Sequence, residues 1–230
     1  MKPEQAESLL RQSPLFAELG DDNLKHLSER VVERSYDKGQ TIFNQGELGD
    51  SVFVVAQGLV KVMVNSPDGE EMVLTTVGPP DIFGELAVLD GGPRSAAAEA
   101  LQETTVLVVD RQTLAELISQ KPELEQALVR SLGKVVRRTT EHVSDLAFLH
   151  LPERVAKVLL VLADQRGSPQ GEDRVIDIQL TQTDLAGMVG GSRQRVNLIL
   201  RSFKERGYLE FDGRRIVIKR PDLLRKRIKA

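Results

Sequence analysis

The 230-residue sequence predicts an α+β protein with a β-rich first half, a long helix in the middle and a basic C-terminal part. Short apolar runs recur at roughly ten-residue spacing over residues 35–110, which is typical of strands separated by turns. Apolar residues then recur at helical spacing over residues 113–149. The charge changes sign near residue 148. A chain of this length fits two ordinary domains.

The first half begins with predicted short helices. Apolar residues between positions 7 and 30 follow a helical period, which is interrupted at Pro14 and Gly20. From Ser35 to Asp110 the strand-like runs alternate with turn segments such as NQGELGD and NSPDGE. Many short strands in this arrangement indicate an antiparallel sandwich or barrel.

A long helical stretch is predicted from about Thr113 past Leu149, with an interruption at Pro122. Two sets of residues recur every seven positions within it: Leu128, Val135, His142 and Leu149, and Leu132, Thr139 and Leu146. Such heptads predict a parallel two-helix seam and hence a homodimer. The residues assigned to this seam are Leu128, Leu132, Val135 and Leu146. Alternatively the helix packs only on its own β-domain, a contact that the row Val129, Val136 and Val143 would serve in either case.

The C-terminal part contains two predicted helices joined by a tight turn at Gly190-Gly191. Thr181 and Ser192 stand where helix N-caps are expected. The second helix points Val196, Ile199 and Leu200 one way, and its opposite face carries Arg193, Gln194, Asn197 and Arg201. This is a helix-turn-helix pattern, whose second helix enters a major groove. The polar run of residues 164–174, upstream of it, is expected to be a surface loop.

After the second helix, two β-rich runs flank Asp212-Gly213, which is a hairpin signal. Arg214 and Arg215 lie on this hairpin, as in a wing that rests against phosphates. Residues 1–147 hold 14 Lys and Arg against 24 Asp and Glu, whereas residues 148–230 hold 17 against 10. The resulting balance of +7 at the C-terminal end, with the wing, predicts double-stranded DNA as partner. A basic surface that only aids solubility is the alternative reading of the charge.

The segment FGELAVLDGGPRSAAAEA, residues 83–100, predicts an anion site. Gly84-Glu85 opens a short helical turn whose free N–H groups, with Arg94, suit phosphate oxygens. Glu85 would be repelled by a phosphate, so it needs another partner, such as a ribose hydroxyl. Together with Ser95 these residues match a compact sugar phosphate. An ordinary Glu–Arg surface pair beside a turn is the alternative.

These motifs resemble the Crp/Fnr family of transcription factors over nearly the whole chain and in the family's order. The cassette GEL…PRS is similar to the family's phosphate-binding signature, and Gly46, Gly58 and Gly84 match its structural glycines. The resemblance implies an N-terminal antiparallel β-roll, which is a jelly roll of the cyclic-nucleotide-binding type, a long dimerisation helix and a C-terminal winged helix-turn-helix. The implied domains are residues 1–112, 113–150 and 151–230.

The resemblance also implies roles for single residues. Glu85 would accept the ribose 2′-hydroxyl, and Arg94 and Ser95 would bind the cyclic phosphate. Thr139 and Thr140 match a pair that reads the adenine amino group, one of them from the opposite subunit. The implied pocket residues are Gly84, Glu85, Leu86, Arg94, Ser95, Thr139, Thr140, Val62 and Leu74. The chain departs from the family pattern at Val135, where an arginine near the phosphate is expected, and at His150, where an acidic hinge residue is expected.

The implied function is that of a dimeric regulator, controlled by cyclic AMP, that binds palindromic DNA and contacts RNA polymerase. The implied DNA-binding residues are Thr181, Ser192, Arg193, Gln194, Arg195, Asn197, Arg201, Arg214 and Arg215. On the recognition helix, Gln194 and Leu198 replace a Glu and an Arg of the resembled pattern. A regulator that answers to cyclic GMP or acts without ligand is an alternative, as is a cyclic-nucleotide-binding regulatory subunit with no DNA role.

Other function classes fit the composition poorly. Cysteine is absent, which excludes disulfides, thiolate-held iron–sulfur clusters and a cysteine nucleophile. His26, His142 and His150 are too scattered for a metal or haem site, so we expect no metal and no cofactor besides the effector. No nucleophile–base pair is visible, so an enzyme is the weakest reading. With no apolar window of about 18 residues and a charged N-terminus, we expect a cytoplasmic protein with no membrane partner.

Overall fold

The structure is a computed structural model that describes residues 1–170, 173–178, 180–213 and 215–228. The chain divides into two compact units. One consists of Met1–Val64 and Thr75–Thr139, and the other of Asn65–Leu74 and Thr140–Ala230. The long central helix therefore runs from the first unit into the second.

The first unit begins with helices α1 (Pro3–Gln12) and α2 (Asp21–Arg30), which flank the predicted breaks at Pro14 and Gly20. A β-roll follows, confirming the predicted antiparallel architecture. Its elements are β1 (Val32–Tyr36), β2 (Thr41–Phe43), β3 (Ser51–Gln57), β4 (Val60–Asn65), β5 (Glu71–Val77), β6 (Ile82–Phe83), α3 (Glu85–Asp90), β7 (Ala97–Ala100) and β8 (Thr104–Asp110). One sheet has the order β1-β8-β3-β6 and the other the order β2-β7-β4-β5.

Strand β3 is buried on both faces, because its alternating side chains serve two cores. Val52 and Val54 pack with the N-terminal helices, in a cluster that also contains Phe16. Phe53 and Val55 point into the roll. There Phe53 stacks on Phe83, with ring centroids 5.0 Å apart, and lies 5.5 Å from the ring of Phe43. This aromatic core forms the floor of the site described below.

Two helices follow the roll, α4 (Arg111–Gln120) and α5 (Pro122–Phe148), with the predicted interruption at Pro122. Asp110 caps α4, since its Oδ1 accepts a hydrogen bond of 2.8 Å from the Thr113 N–H. The first turns of α5 pack into the same core as α1 and α2, through Leu124, Ala127 and Leu128.

The structure corrects the predicted dimer seam at Leu128. This side chain is only 5% exposed and fills the core of its own chain, so it cannot also line an intersubunit contact. Instead Val129, Val136 and Val143, the row expected to pack on the β-domain, are 67%, 63% and 59% exposed. Leu132, Val135 and Leu146 are half-buried, and their place in a seam stays a prediction.

The second unit contains the winged helix-turn-helix. Its elements after α5 are α6 (Leu151–Arg166), β9 (Gly167–Gln170), β10 (Asp173–Ile176), α7 (Gln182–Val189), α8 (Arg193–Glu205), β11 (Leu209–Asp212), β12 (Arg215–Ile218) and α9 (Pro221–Ile228). The strands form a sheet of order β11-β12-β10-β9. The expected loop over residues 164–174 is wrong in part, because β9 pairs with β10 in spite of the glycines and the proline. Within the described ranges, no helix is long and apolar enough to cross a membrane.

Arg154 of α6 joins the end of α5 to the helix-turn-helix. Its guanidinium donates to the carbonyls of Leu149 at 3.0 Å, Val189 at 2.7 Å and Gly190 at 3.1 Å. The C-terminal ends of two helices carry free carbonyls and a partial negative charge, so one cation satisfies both. Sequence reasoning did not single out this residue, because its partners are up to 36 positions away.

Candidate nucleotide pocket and DNA-reading surface

The segment predicted to bind an anion folds around short helix α3. Gly84 precedes this helix with a φ of +78°, and Gly91 ends it with a φ of +74°, conformations that favour glycine. The chain then turns back so that Arg94 reaches the start of the helix. Its Nη1 donates a hydrogen bond of 2.6 Å to the Gly84 carbonyl. The structure thus brings Gly84, Glu85 and Arg94 together.

The guanidinium of Arg94 lies inside the roll. The residue is 5% exposed, and its Cζ is 4.3 Å from the centroid of the Phe43 ring. Its Nε is buried and has no hydrogen-bond partner. A Cβ at Gly49 would lie 2.5 Å from Cβ of Ala87 and 2.8 Å from Cζ of Arg94, so a side chain there would collide with both. An unpartnered buried N–H of a cation fits an anionic ligand.

Glu85 is buried as well, with 6% exposure. Burial raises the pKa of its carboxyl group, and the charge of Arg94 opposes this shift only in part. Burial likewise lowers the pKa of Arg94, against the attraction of Asp50, Glu47 and Glu85. The alternative of an ordinary surface pair is therefore wrong, because both side chains have left the solvent.

The other predicted pocket residues are more dispersed. Ser95 is exposed, Leu86 is half-buried, and Val62 is half-buried against the aromatic core. Thr139 and Thr140 are exposed neighbours on α5. Thr140 belongs to the second unit, as does Leu74, which is half-buried on β5. The ligand roles of these residues stay predictions.

Val135, which departs from the family pattern, lines a cavity beside the cassette. The cavity has a volume of about 110 Å³ and is also lined by Glu85, Lys134 and Arg138. The cations of α5 therefore lie one residue before and three residues after the apolar position. They can supply positive charge near Glu85 even though Val135 itself cannot.

The helix-turn-helix forms at the predicted place, and both predicted caps are confirmed. Oγ1 of Thr181 accepts a hydrogen bond of 3.0 Å from the Asp184 N–H, and Oδ2 of Asp184 accepts one of 2.8 Å from the Thr181 N–H. The hydroxyl of Ser192 accepts a bond of 3.4 Å from the Arg195 N–H. Gly190, with a φ of +59°, makes the turn.

Recognition helix α8 separates its faces as the sequence predicts. Val196, Leu200 and Phe203 are buried. Asn197 and Ile199 are half-buried, and the exposed face carries Arg193, Gln194, Arg195, Leu198 and Arg201. This surface offers several hydrogen-bond donors and three arginines to a ligand.

The wing is the antiparallel hairpin β11–β12, which turns through Gly213 with a φ of +59°. Arg214 lies outside the described residues. Arg215 is held in an ion pair, with its Nε 2.7 Å from Oδ1 of Asp177. The wing therefore presents less free positive charge than its composition suggests.

Comparison with known proteins decides the family. Residues 33–121 match the family described as "Cyclic nucleotide-binding domain", and residues 153–227 match the "Crp-like helix-turn-helix domain". The "CRP-like cAMP-activated global transcriptional regulator" of Mycobacterium tuberculosis is 34% identical over 221 residues, which are 96% of this chain and 99% of that protein. The chain belongs to the Crp/Fnr family.

Two further relatives agree with this assignment. The "Cyclic AMP receptor protein" of Thermus thermophilus is 30% identical, with 94% of this chain and 96% of that protein covered. The solved structure of FixK2 from Bradyrhizobium japonicum superposes with a TM-score of 0.74 at 26% identity, covering 85% of this chain and 96% of that one. As a Crp/Fnr protein, the chain is a transcriptional regulator with a cyclic-nucleotide-binding domain and a DNA-binding helix-turn-helix.

In this Crp/Fnr protein, several residues of the site escaped the sequence analysis. Phe43 and Gly49 cradle Arg94, and Asp177 pairs with the wing. The loop that carries Gly49 is hydrogen-bonded to the cassette, since the Arg94 N–H donates to the Glu47 carbonyl at 2.7 Å. Nothing in the local sequence marks these residues, because each acts on a partner more than 35 positions away.

Proposed function

We propose that this Crp/Fnr regulator is a homodimer that binds cyclic AMP in its roll and, when loaded, binds a palindromic DNA site. The observation that carries the proposal is Arg94, a buried cation with an unpartnered Nε beside the buried carboxylate of Glu85. A cyclic phosphate brings one negative charge and acceptor oxygens to the arginine. A ribose hydroxyl brings a donor to Glu85. The names of the two curated relatives favour the adenine nucleotide.

The exposed row on α5 supports the dimer. Val129, Val136 and Val143 recur every seven residues along α5, and more than half of each side chain is exposed. An apolar seam of this length is what a second copy of the helix would cover. Thr139 and Thr140 are exposed in the same stretch, and in this proposal they read the base, one of them from the opposite subunit.

The signal from nucleotide to DNA passes along α5 in this proposal. Hydroxyls of Thr139 and Thr140 would contact the base, so ligand binding orders the distal half of the helix. Arg154 holds the end of α5 and the turn of the helix-turn-helix together, so movement of one end displaces the other. A coupling free energy of about 1–3 kcal/mol would change DNA affinity about 5- to 150-fold.

Recognition helix α8 would read the bases. Arg193 suits the O6 and N7 atoms of a guanine, whereas Gln194 offers a donor and an acceptor that suit adenine. Arg195 and Asn197 are further donors at the start of the helix. In a two-fold dimer these helices would meet successive major grooves about 34 Å apart. The family also implies that the DNA-bound dimer contacts RNA polymerase. We propose no catalytic activity, metal or further cofactor.

The test is a DNA titration of the full chain by fluorescence anisotropy, without nucleotide, with cyclic AMP and with cyclic GMP. The DNA is a site that the protein itself selects from a randomised pool. We expect cyclic AMP to raise affinity at least fivefold and cyclic GMP to raise it less. Equal affinity in all three conditions contradicts ligand control. Failure to select any sequence contradicts the DNA role.

A further inference from the structure

Recognition helix α8 exposes one large apolar side chain among its polar ones. Leu198 is 65% exposed, whereas the apolar residues on the opposite face, Val196 and Leu200, are fully buried. Gln194 lies four positions before Leu198 and Arg201 lies three positions after it, so the three side chains share one face of the helix. Leu198 thus lies in the middle of the surface that meets DNA.

Leu198 lies outside the packed face of its own helix. Val196, Leu200 and Phe203 already form the packed face of α8, and the side chain of Leu198 points away from them. Its neighbours on the exposed face are an amide and a guanidinium, so they do not form an apolar patch of the size that a protein partner needs. The contact partner of the Leu198 side chain is therefore expected in the major groove of DNA.

The chemistry of the major groove leaves one apolar partner. Base edges there present the N7, O6 and O4 acceptors and the amino donors, with which a leucine side chain cannot bond. The 5-methyl group of thymine is the apolar feature that distinguishes one base pair from the others. Contact between that methyl group and Leu198 removes both from water, whereas any other base leaves the side chain against polar atoms.

We propose that Leu198 specifies a thymine in each half-site by packing against its 5-methyl group. The inference rests on the proposed function, since it requires that α8 enters the major groove. Gln194 and Arg193 would read the adjacent base pairs through hydrogen bonds. The half-site thus combines polar readout at the start of the helix with an apolar reading one turn further on.

The experiment removes the methyl group without changing base pairing. The full-length protein first selects its site from randomised DNA, with cyclic AMP present. Each thymidine of the half-site is then replaced, in both halves, by deoxyuridine, which differs from thymidine only in lacking the 5-methyl group. Binding constants are measured for the wild type and for Leu198→Ala, an exposed position where truncation leaves the core intact. Val161→Ala, which truncates an exposed aliphatic side chain on α6, is the matched control.

We expect one position of the half-site to respond to deoxyuridine. Loss of its methyl group from one half-site should weaken wild-type binding about fourfold, which is the effect of burying one methyl group, and loss from both half-sites should weaken it about fifteenfold. Leu198→Ala should bind both DNAs equally, and Val161→Ala should keep the wild-type penalty. The inference is overturned if no deoxyuridine substitution weakens the wild type, or if Leu198→Ala retains the penalty. Failure to select DNA at all instead overturns the proposed function, so the two failures are distinguishable.

Discussion

At the scale of the residue, the roll buries two opposite charges, those of Arg94 and Glu85. Arg94 gives one N–H to the Gly84 carbonyl and rests on Phe43, but its Nε has no partner. Burial raises the pKa of Glu85, and a backbone hydrogen bond and the charge of Arg94 offset that shift only in part. Burying a charge is costly unless it is paired. In the proposed complex, an anionic ligand with a free hydroxyl would give both buried groups a partner.

Arg94→Ala should weaken the binding of cyclic AMP. The variant loses the cation that faces the phosphate, and truncation of one partner in a desolvated charge pair costs about 2–5 kcal/mol of binding free energy. Calorimetry with cyclic AMP measures the loss. Arg11→Ala, at an exposed ion pair on α1, is the control and should bind as the wild type does. Near-native affinity in Arg94→Ala would show that the cassette is not the phosphate site.

Glu85→Gln should separate stability from binding. Because the pKa of Glu85 is raised in the folded state, its contribution to stability is greatest below the unfolded pKa and is lost as pH rises through the folded value. The amide of Glu85→Gln does not ionise and so avoids this loss. The free energy of unfolding of the variant should therefore exceed that of the wild type by more at pH 7.5 than at pH 5. Urea denaturation at both values checks this. Binding of cyclic AMP should fall about 10- to 100-fold, because the bond to a charged acceptor is gone. An equal difference at both pH values would contradict the titration argument.

At the scale of the element, α5 shows where sequence patterns stop being sufficient. The sequence predicts its bounds well, through Pro122 and the apolar heptads. However, adjacent rows at Leu128 and Val129, or Val135 and Val136, have the same seven-residue period. Only packing against α1 and α2, more than 90 positions earlier, decides that Leu128 faces the core and Val129 faces out. The sequence did not predict the strands β9 and β10 for a similar reason. Their pairing with each other outweighs the turn preference of the glycines and the proline in this segment.

Substitutions in the exposed row and in the buried row should affect different properties, namely dimerisation and folding stability. Val136→Glu places like charges in the exposed row and should shift the protein from dimer to monomer in sedimentation, with little change in the folding of the protomer. Leu128→Ala should instead lower the free energy of unfolding by about 2–5 kcal/mol, because it leaves a cavity in the core. Dimer mass unchanged by Val136→Glu would mean that the exposed row is not the seam.

At the scale of the whole molecule, sequence reasoning succeeded with the order of the elements and with the helix caps, which depend on neighbours within four residues. It failed where long-range ion pairs redistribute charge. The C-terminal residues carry a formal balance of +7, yet Arg215 is paired with Asp177 and Lys219 with Asp173. These partners are 38 and 46 positions apart, so no local pattern reveals them. Both carboxylates lie within residues 148–230 and are already counted in the balance of +7, so the pairs leave the net charge unchanged but make Arg215 and Lys219 less free to meet phosphates.

This redistribution predicts that the wing is held below its full DNA affinity by an acidic residue of its own domain. Asp177→Asn should free the guanidinium of Arg215, strengthen binding to all sequences alike and steepen the dependence of log K on log salt concentration by about one unit, as one added phosphate contact does. Anisotropy titrations from low to moderate salt measure that slope. The double variant Asp177→Asn with Arg215→Ala should return to the wild-type slope or below it. Glu18→Gln, which frees Arg130 in the first unit, should leave the slope unchanged. If Asp177→Asn has the wild-type slope, the ion pair does not restrain the wing, and the basic balance of the domain acts through other residues.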